Sequence, residues 1–401
     1  MRRTPSRRLF AAALLVASVL VPVTVAPATA VQATVAPDRH GPDDCPEHGF
    51  GPELTERLDK AIEDVRQEAG IPGTIVGLWM PGRGSYVRAT GVADTATGRP
   101  MTSDMFVRIG SETKTFTVTA LLKLVDAGRV GLDDPISRYV RGVPNGSRIT
   151  LRHLAEMRSG LYPYTFDPDF EHDLMSDPTR SITPRELLAY AFRHANTADP
   201  GAEFQYSNTN LILLGLVIEK VSGRPLAEVI EREVLRPAEL RRTLFPSDSA
   251  IPRPHPRGYT NQTPTGEVTD STDWNPSWAW AAGAMISDLP DLRRWARIVA
   301  TGTLLSPRTQ AERLKTLPTG IPGTSYGLGI FDTNGWIGHN GSIPGYETVT
   351  VYLPAEKATL VVMINTDITH AGQEPSSLVA RAITEIVTPD HLYGRASARN
   401  R

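Results

Sequence analysis

Strand-forming segments stand at both ends of this chain, and a long helix-forming block separates them. Near the start, a helix-period pattern at Leu54, Leu58, Ile62 and Val65 precedes an Ile/Val-rich run over residues 73–80. The turn Pro81-Gly82-Arg83-Gly84 joins that run to residues 85–92, which predicts a β-hairpin. Toward the other end, strands are predicted over 326–331, 336–339, 347–353 and 358–365, after a helix capped near Ser287-Asp288 and before a last helix over 376–387. The middle reads as helices and loops: a short helix over 150–157, one opened by the capping box Thr183-Pro184-Arg185-Glu186, a nearly all-apolar one over 208–221, and an amphipathic one over 226–235. A Pro-rich stretch over 246–264 is expected to be irregular. This order predicts an α+β fold, with one antiparallel sheet built from about 50–110 and 285–387. Terminal helices flank that sheet, and a mainly helical subdomain is inserted at about 115–280.

Within that frame, one stretch carries chemistry. The apolar run ending in Gly110 meets Ser111-Glu112-Thr113-Lys114, and a helical pattern follows with Val118, Leu121, Leu122 and Val125 on one face until Gly128. Ser111 is therefore expected at a helix start, with Lys114 one turn later on the same side, within reach of its hydroxyl. A serine hydroxyl is a weak nucleophile until a neighbouring base or cation activates it, which makes this pair a candidate nucleophile and activator. First-turn N–H groups lack helical partners, so that of Ser111 could also stabilise an oxyanion. The spacing alone fits equally well an N-cap serine followed by a solvated lysine.

The first thirty residues have the pattern of a cleavable export signal. Arg2, Arg3, Arg7 and Arg8 precede an apolar run from Leu9 to about Val25, and Ala28-Thr29-Ala30 supplies small residues for cleavage. Pro22 interrupts the run, which argues against a permanent membrane span. Ser6-Arg7-Arg8-Leu9-Phe10 resembles a twin-arginine motif, so either the general secretory or the twin-arginine route fits, with an extracytoplasmic product. Residues 31–49 read as a flexible leader and 388–401 as a tail, leaving one globular unit over 50–387. Removing the four signal arginines takes the formal net charge from −2 to −6, and a mildly acidic protein is a poor nucleic-acid binder. The single cysteine, Cys45, lies in the polar leader and has no intramolecular partner for a disulfide. The chain has no His-Glu-x-x-His or paired-cysteine motif, so neither metal nor cofactor is expected, and it has no Gly-x-Ser-x-Gly elbow.

Two further stretches complete a constellation: Tyr206-Ser207-Asn208, just before the apolar helix, and Gly338-His339-Asn340-Gly341-Ser342, at the end of a predicted strand. Ser-x-x-Lys, Tyr-x-Asn and His-x-Gly in this order and at these separations resemble the serine hydrolases that include class C β-lactamases and exported D-alanyl-D-alanine carboxypeptidases. Residues 280–287 add a Gly-containing segment similar to the family's, and the resemblance spans roughly 50–387. It implies that Ser111 is acylated and that the Lys114 charge favours phenolate character on Tyr206, which acts as base and acid. It further implies that Asn208 orients Lys114 and the acyl-group amide, and that His339 bonds Tyr206. The N–H groups of Ser111 and Ser342 would form the oxyanion hole, with Gly341 giving close approach. Many relatives carry threonine where Asn340 stands, a side chain that helps hold a substrate carboxylate, so recognition of a free C-terminus is the least secure implication. The expected activity is a D-alanyl-D-alanine carboxypeptidase, working as a monomer on peptidoglycan-type peptides. A β-lactamase, a carboxylesterase using the same serine, or a penicillin-recognising protein without turnover are the alternatives. Substrates would accordingly be a D-Ala-D-Ala peptide, a β-lactam or an ester.

Overall fold

The computed structural model describes residues 48–394; the expected signal segment, most of the leader with Cys45, and the end of the tail lie outside them. A first helix, α1 (Pro52–Glu68), leads into β1 (Gly73–Met80), β2 (Gly84–Asp94) and a short β3 (Arg99–Pro100). The nucleophile region follows as α2 (Thr113–Asp126), and helices and loops then run through α3 (Asn208–Ser222) to α4 (Leu289–Thr301). Strands resume as β4 (Leu317–Pro318), β5 (Thr324–Tyr326), β6 (Phe331–Thr333), β7 (Trp336–Ile343), β8 (Tyr346–Leu353) and β9 (Ala358–Ile364), and α5 (Pro375–Val387) closes the fold. The sheet order is β3-β2-β1-β9-β8-β7-β6-β5-β4. β1 from the front of the chain pairs antiparallel with β9 from its end, Thr74 opposite Ile364. The fold is thus α+β, with a large antiparallel sheet that takes strands from both sides of the helical block.

Both faces of this sheet are covered. Val76, Leu78, Leu360 and Val362 pack against Leu58 and Ile62 of α1 and Val379 and Ile383 of α5. Ile75, Val361 and Met363 face the opposite layer, with Leu292, Trp295 and Val299 of α4. Since β1 is covered on both sides, all eight of its residues are buried, which is why its sequence reads as a continuous apolar run. Among the described residues, no helix is long and apolar enough to cross a membrane.

Three local expectations need correction. The segment over 326–331 is not one strand: residues 327–330 turn between β5 and β6, where the Gly329 N–H donates to the Ala155 carbonyl. Its φ of +68° and its place beneath Val118 admit no larger residue. Helices at Pro168–Ser176 and Pro307–Arg313 had no strong apolar period to announce them. Most instructively, α2 is not amphipathic. Every residue from Thr113 to Leu122 is buried, because its threonines satisfy their hydroxyls internally. Thr119 bonds back to the Thr115 carbonyl, Thr117 donates to the Ala281 carbonyl at 2.7 Å, and Thr115 accepts the Trp295 indole N–H at 2.7 Å.

Candidate active site

Ser111 lies in a single 3₁₀ turn, Gly110–Glu112, that feeds straight into α2. The turn is pressed against the edge of β7 through two glycines. Gly110 has φ +49°, and a Cβ there would come within 2.7 Å of the Ser342 nitrogen. A Cβ on Gly341 would fall 1.9 Å from the Ile109 carbonyl oxygen. Only glycines allow this approach, which brings the backbone of Ser342 beside that of Ser111. β6 pairs with β7 only as far as Gly338, so from His339 onward β7 is paired on its β8 side and leaves its other edge to this approach.

One turn into the helix, Lys114 is wholly buried, with its Nζ 2.8 Å from Ser111 Oγ. Nζ also donates to the Ala282 carbonyl at 2.8 Å. Burial holds the Lys114 amine well below the usual ammonium range, with no carboxylate beside it to restore the charge. A lysine with a free lone pair next to a serine hydroxyl can act as a base. The Ala282 carbonyl is aimed by the tight 3₁₀ turn Trp280–Ala282, in which Trp280 takes the left-handed φ of +33°.

Tyr206 precedes α3 on a loop tied down by the Gln205 N–H donating to the Met157 carbonyl. Its half-buried ring lies 4.8 Å from Lys114 Nζ, and its hydroxyl bonds with Ser111. Burial pushes the phenol above its ordinary pKa; the Ser111 hydrogen bond opposes the shift and the Glu374 charge adds to it. Both shifts run against the expected phenolate: the amine beside it is desolvated, and so is the phenol. Phe331 stacks against Tyr206 at 6.2 Å and Tyr326 meets it edge-on at 6.4 Å, fixing the ring.

Two expected contacts are replaced by others. His339 is buried and turns away from the Tyr206 hydroxyl: its Nδ1–H donates to the Asn340 carbonyl, and its Nε2 accepts from the Tyr326 hydroxyl at 3.2 Å. Burial first, and then the neighbouring Lys114 amine, push the imidazole down to about 3, so the ring is neutral across the physiological range. Asn208 opens α3 with its Oδ1 buried and unpaired among the described residues, while the position expected for it beside Lys114 is held by Ala282. The Asn340 amide donates to Glu374 Oε2 at 2.6 Å.

Sequence reasoning therefore brought Ser111, Lys114 and Tyr206 to one point and placed Gly341 and Ser342 beside them. It missed Ala282, whose contribution is a carbonyl and has no side-chain signature. Tyr326, Glu374 and Glu112 were also missed. Glu112 follows the nucleophile and is fully buried, and burial pushes its carboxyl up to about 8.

Comparison with known proteins gives the same superfamily. The family model described as Beta-lactamase matches residues 58–383. Among solved structures, a D-stereospecific amidohydrolase from Streptomyces sp. superposes with a TM-score of 0.74 at 33% identity, covering 82% of this chain and 98% of that one. A D-amino acid amidase from Ochrobactrum anthropi SV3 superposes with a TM-score of 0.74 at 27% identity, covering 84% of this chain and 99% of the other. A curated relative, a putative penicillin-binding protein of Bacillus subtilis, is 25% identical over 77% of this chain and 74% of its own length.

Proposed function

Since the chain belongs to the Beta-lactamase family of serine acyl hydrolases, we propose that it is an exported enzyme that forms an acyl-enzyme on Ser111 and cleaves D-alanyl-D-alanine-type peptides. The observation that carries this reading is the buried Lys114 amine, 2.8 Å from Ser111 Oγ and without a counter-charge. The amine takes the hydroxyl proton as Oγ attacks the substrate carbonyl. The tetrahedral oxygen is met by the N–H groups of Ser111 and Ser342, which the two glycines bring together. Tyr206, kept as a neutral phenol, passes a proton to the departing amine and accepts one back when water attacks the acyl-enzyme.

Hydrolysis of D-amino acid amides is a second reading at the same serine. Two observations favour it: the two amidohydrolase relatives, and the absence of any Lys or Arg from residue 316 to 356, the stretch that supplies the strand edge. A carboxypeptidase holding a terminal carboxylate would need a cationic or multidonor partner there. Mass spectrometry of the protein incubated separately with benzylpenicillin and with a D-Ala-D-Ala peptide tests the proposal. A penicilloyl adduct on Ser111 together with release of D-alanine is expected. Rapid penicillin turnover with an untouched peptide would instead make the chain a β-lactamase.

A further inference from the structure

Resting on the reading of Ser111 as nucleophile, and siding with the amide reading of its substrate, we infer that Glu374, hydrogen-bonded to Asn340 on the β7 edge, makes that side of the site select a carboxamide or ammonium over a free carboxylate. Asn340 lies on the segment of β7 that β6 leaves unpaired. Its amide donates to Glu374 Oε2 at 2.6 Å, so one of its two N–H donors already serves an internal carboxyl group. Both residues are partly exposed.

Two carboxyl groups, Glu374 and Glu347, meet near this point. Glu374 precedes Pro375 at the start of α5, and burial pushes its carboxyl upward while the Asn340 and Ser377 hydrogen bonds oppose the shift. Beneath it, Glu347 Oε2 accepts the Ser376 N–H at 3.0 Å. That acid is pushed up to about 8, first by burial and then by the neighbouring Glu374 carboxyl. The Glu374 field also reaches Tyr206. Among the described residues the hydrogen-bond partners of Glu374 are the neutral Asn340 and Ser377, and the strand edge over 316–356 carries no Lys or Arg. A carboxylate brought to Asn340 would meet a like charge in a partly desolvated cleft. An amide N–H₂ or an ammonium would find an acceptor there instead.

The test compares N-acetyl-D-Ala-D-Ala as the free acid and as the carboxamide, each read as an inhibitor of Ser111-dependent hydrolysis of p-nitrophenyl acetate. Wild type is expected to bind the amide at least tenfold more tightly, and Glu374→Gln to bring the ratio of the two inhibition constants to within about threefold. Because Glu374 makes no side-chain cap to α5, the glutamine variant should fold. Asn340→Ala, which leaves the carboxylate in place, should keep the amide preference. Equal or tighter binding of the acid in wild type, or a ratio unmoved by Glu374→Gln, would overturn the inference while leaving the nucleophile assignment standing. Ester hydrolysis that survives Ser111→Ala would overturn both.

Discussion

Under α1 and α5 the sheet buries Leu58, Ile62, Val76, Leu360 and Val362, whereas under α2 and α4 it buries Lys114, Glu112, His339 and Arg313 among the apolar side chains. The first layer gains stability from each residue it covers, about 1.5–3 kcal/mol for a large aliphatic side chain. The second spends stability, since a buried amine or carboxyl either loses its charge or costs several kcal/mol to keep it. Two of those groups, Lys114 and Glu112, touch or adjoin Ser111. The face with the poorer packing chemistry is the one with the reactive amine.

The largest expected effect breaks the costly face. Lys114→Met should slow acylation of Ser111 by about 10³- to 10⁴-fold while leaving the melting temperature unchanged or higher, because a desolvated amine is replaced by an apolar chain of similar length. Stopped-flow acylation and calorimetry on one preparation read both quantities. A parallel loss of the two would mean that the lysine is structural. Leu58→Ala does the reverse on the other face. It should cost about 2–5 kcal/mol of stability and leave kcat/KM per folded molecule unaltered, as urea titration and active-site counting would show.

Tyr206→Phe comes next, with a loss of about 10²-fold in acylation and an intact fold. Near-wild-type acylation would leave Lys114 as the sole proton carrier. Smallest is a pH effect at Glu112. Its carboxyl is pushed up to about 8 from an ordinary value of 4.5, so the folded chain keeps a proton that the unfolded chain releases across that window. Stability from this group is therefore fully present below about 4.5 and is lost as pH rises toward 8, by at most about 1.4 kcal/mol per pH unit. Glu112→Gln should flatten that slope relative to wild type in unfolding curves at pH 5.5 and 7.5. Parallel slopes would show that the folded carboxyl is already ionised.

Legibility followed the same division. The apolar layer was readable because burial on both faces writes a continuous run into β1 and a helical stripe into α1. The polar layer was readable only where chemistry is local in sequence: Ser111 and Lys114 are one helical turn apart, and Tyr206 stands at the start of α3. The partners of His339 and Lys114 were not, because His339 meets Tyr326 of β5, two strands away in the sheet, and a loop carbonyl at Ala282 reaches the amine. Nothing in the spacing distinguishes a histidine that bonds Tyr206 from one that bonds a second tyrosine two strands away. Threonine-rich α2 misled for a related reason, since hydroxyls that bond their own helix or its immediate neighbours can be buried at little cost.

The central claim is that the desolvated Lys114 amine makes Ser111 the single reactive serine. Intact-protein mass spectrometry after treatment with a fluorophosphonate, followed by peptide mapping, tests it directly. The account predicts one adduct per molecule in wild type, on the peptide containing Ser111, and none in Ser111→Ala. An adduct of unchanged stoichiometry in the alanine variant, or an unlabelled wild type, would contradict it.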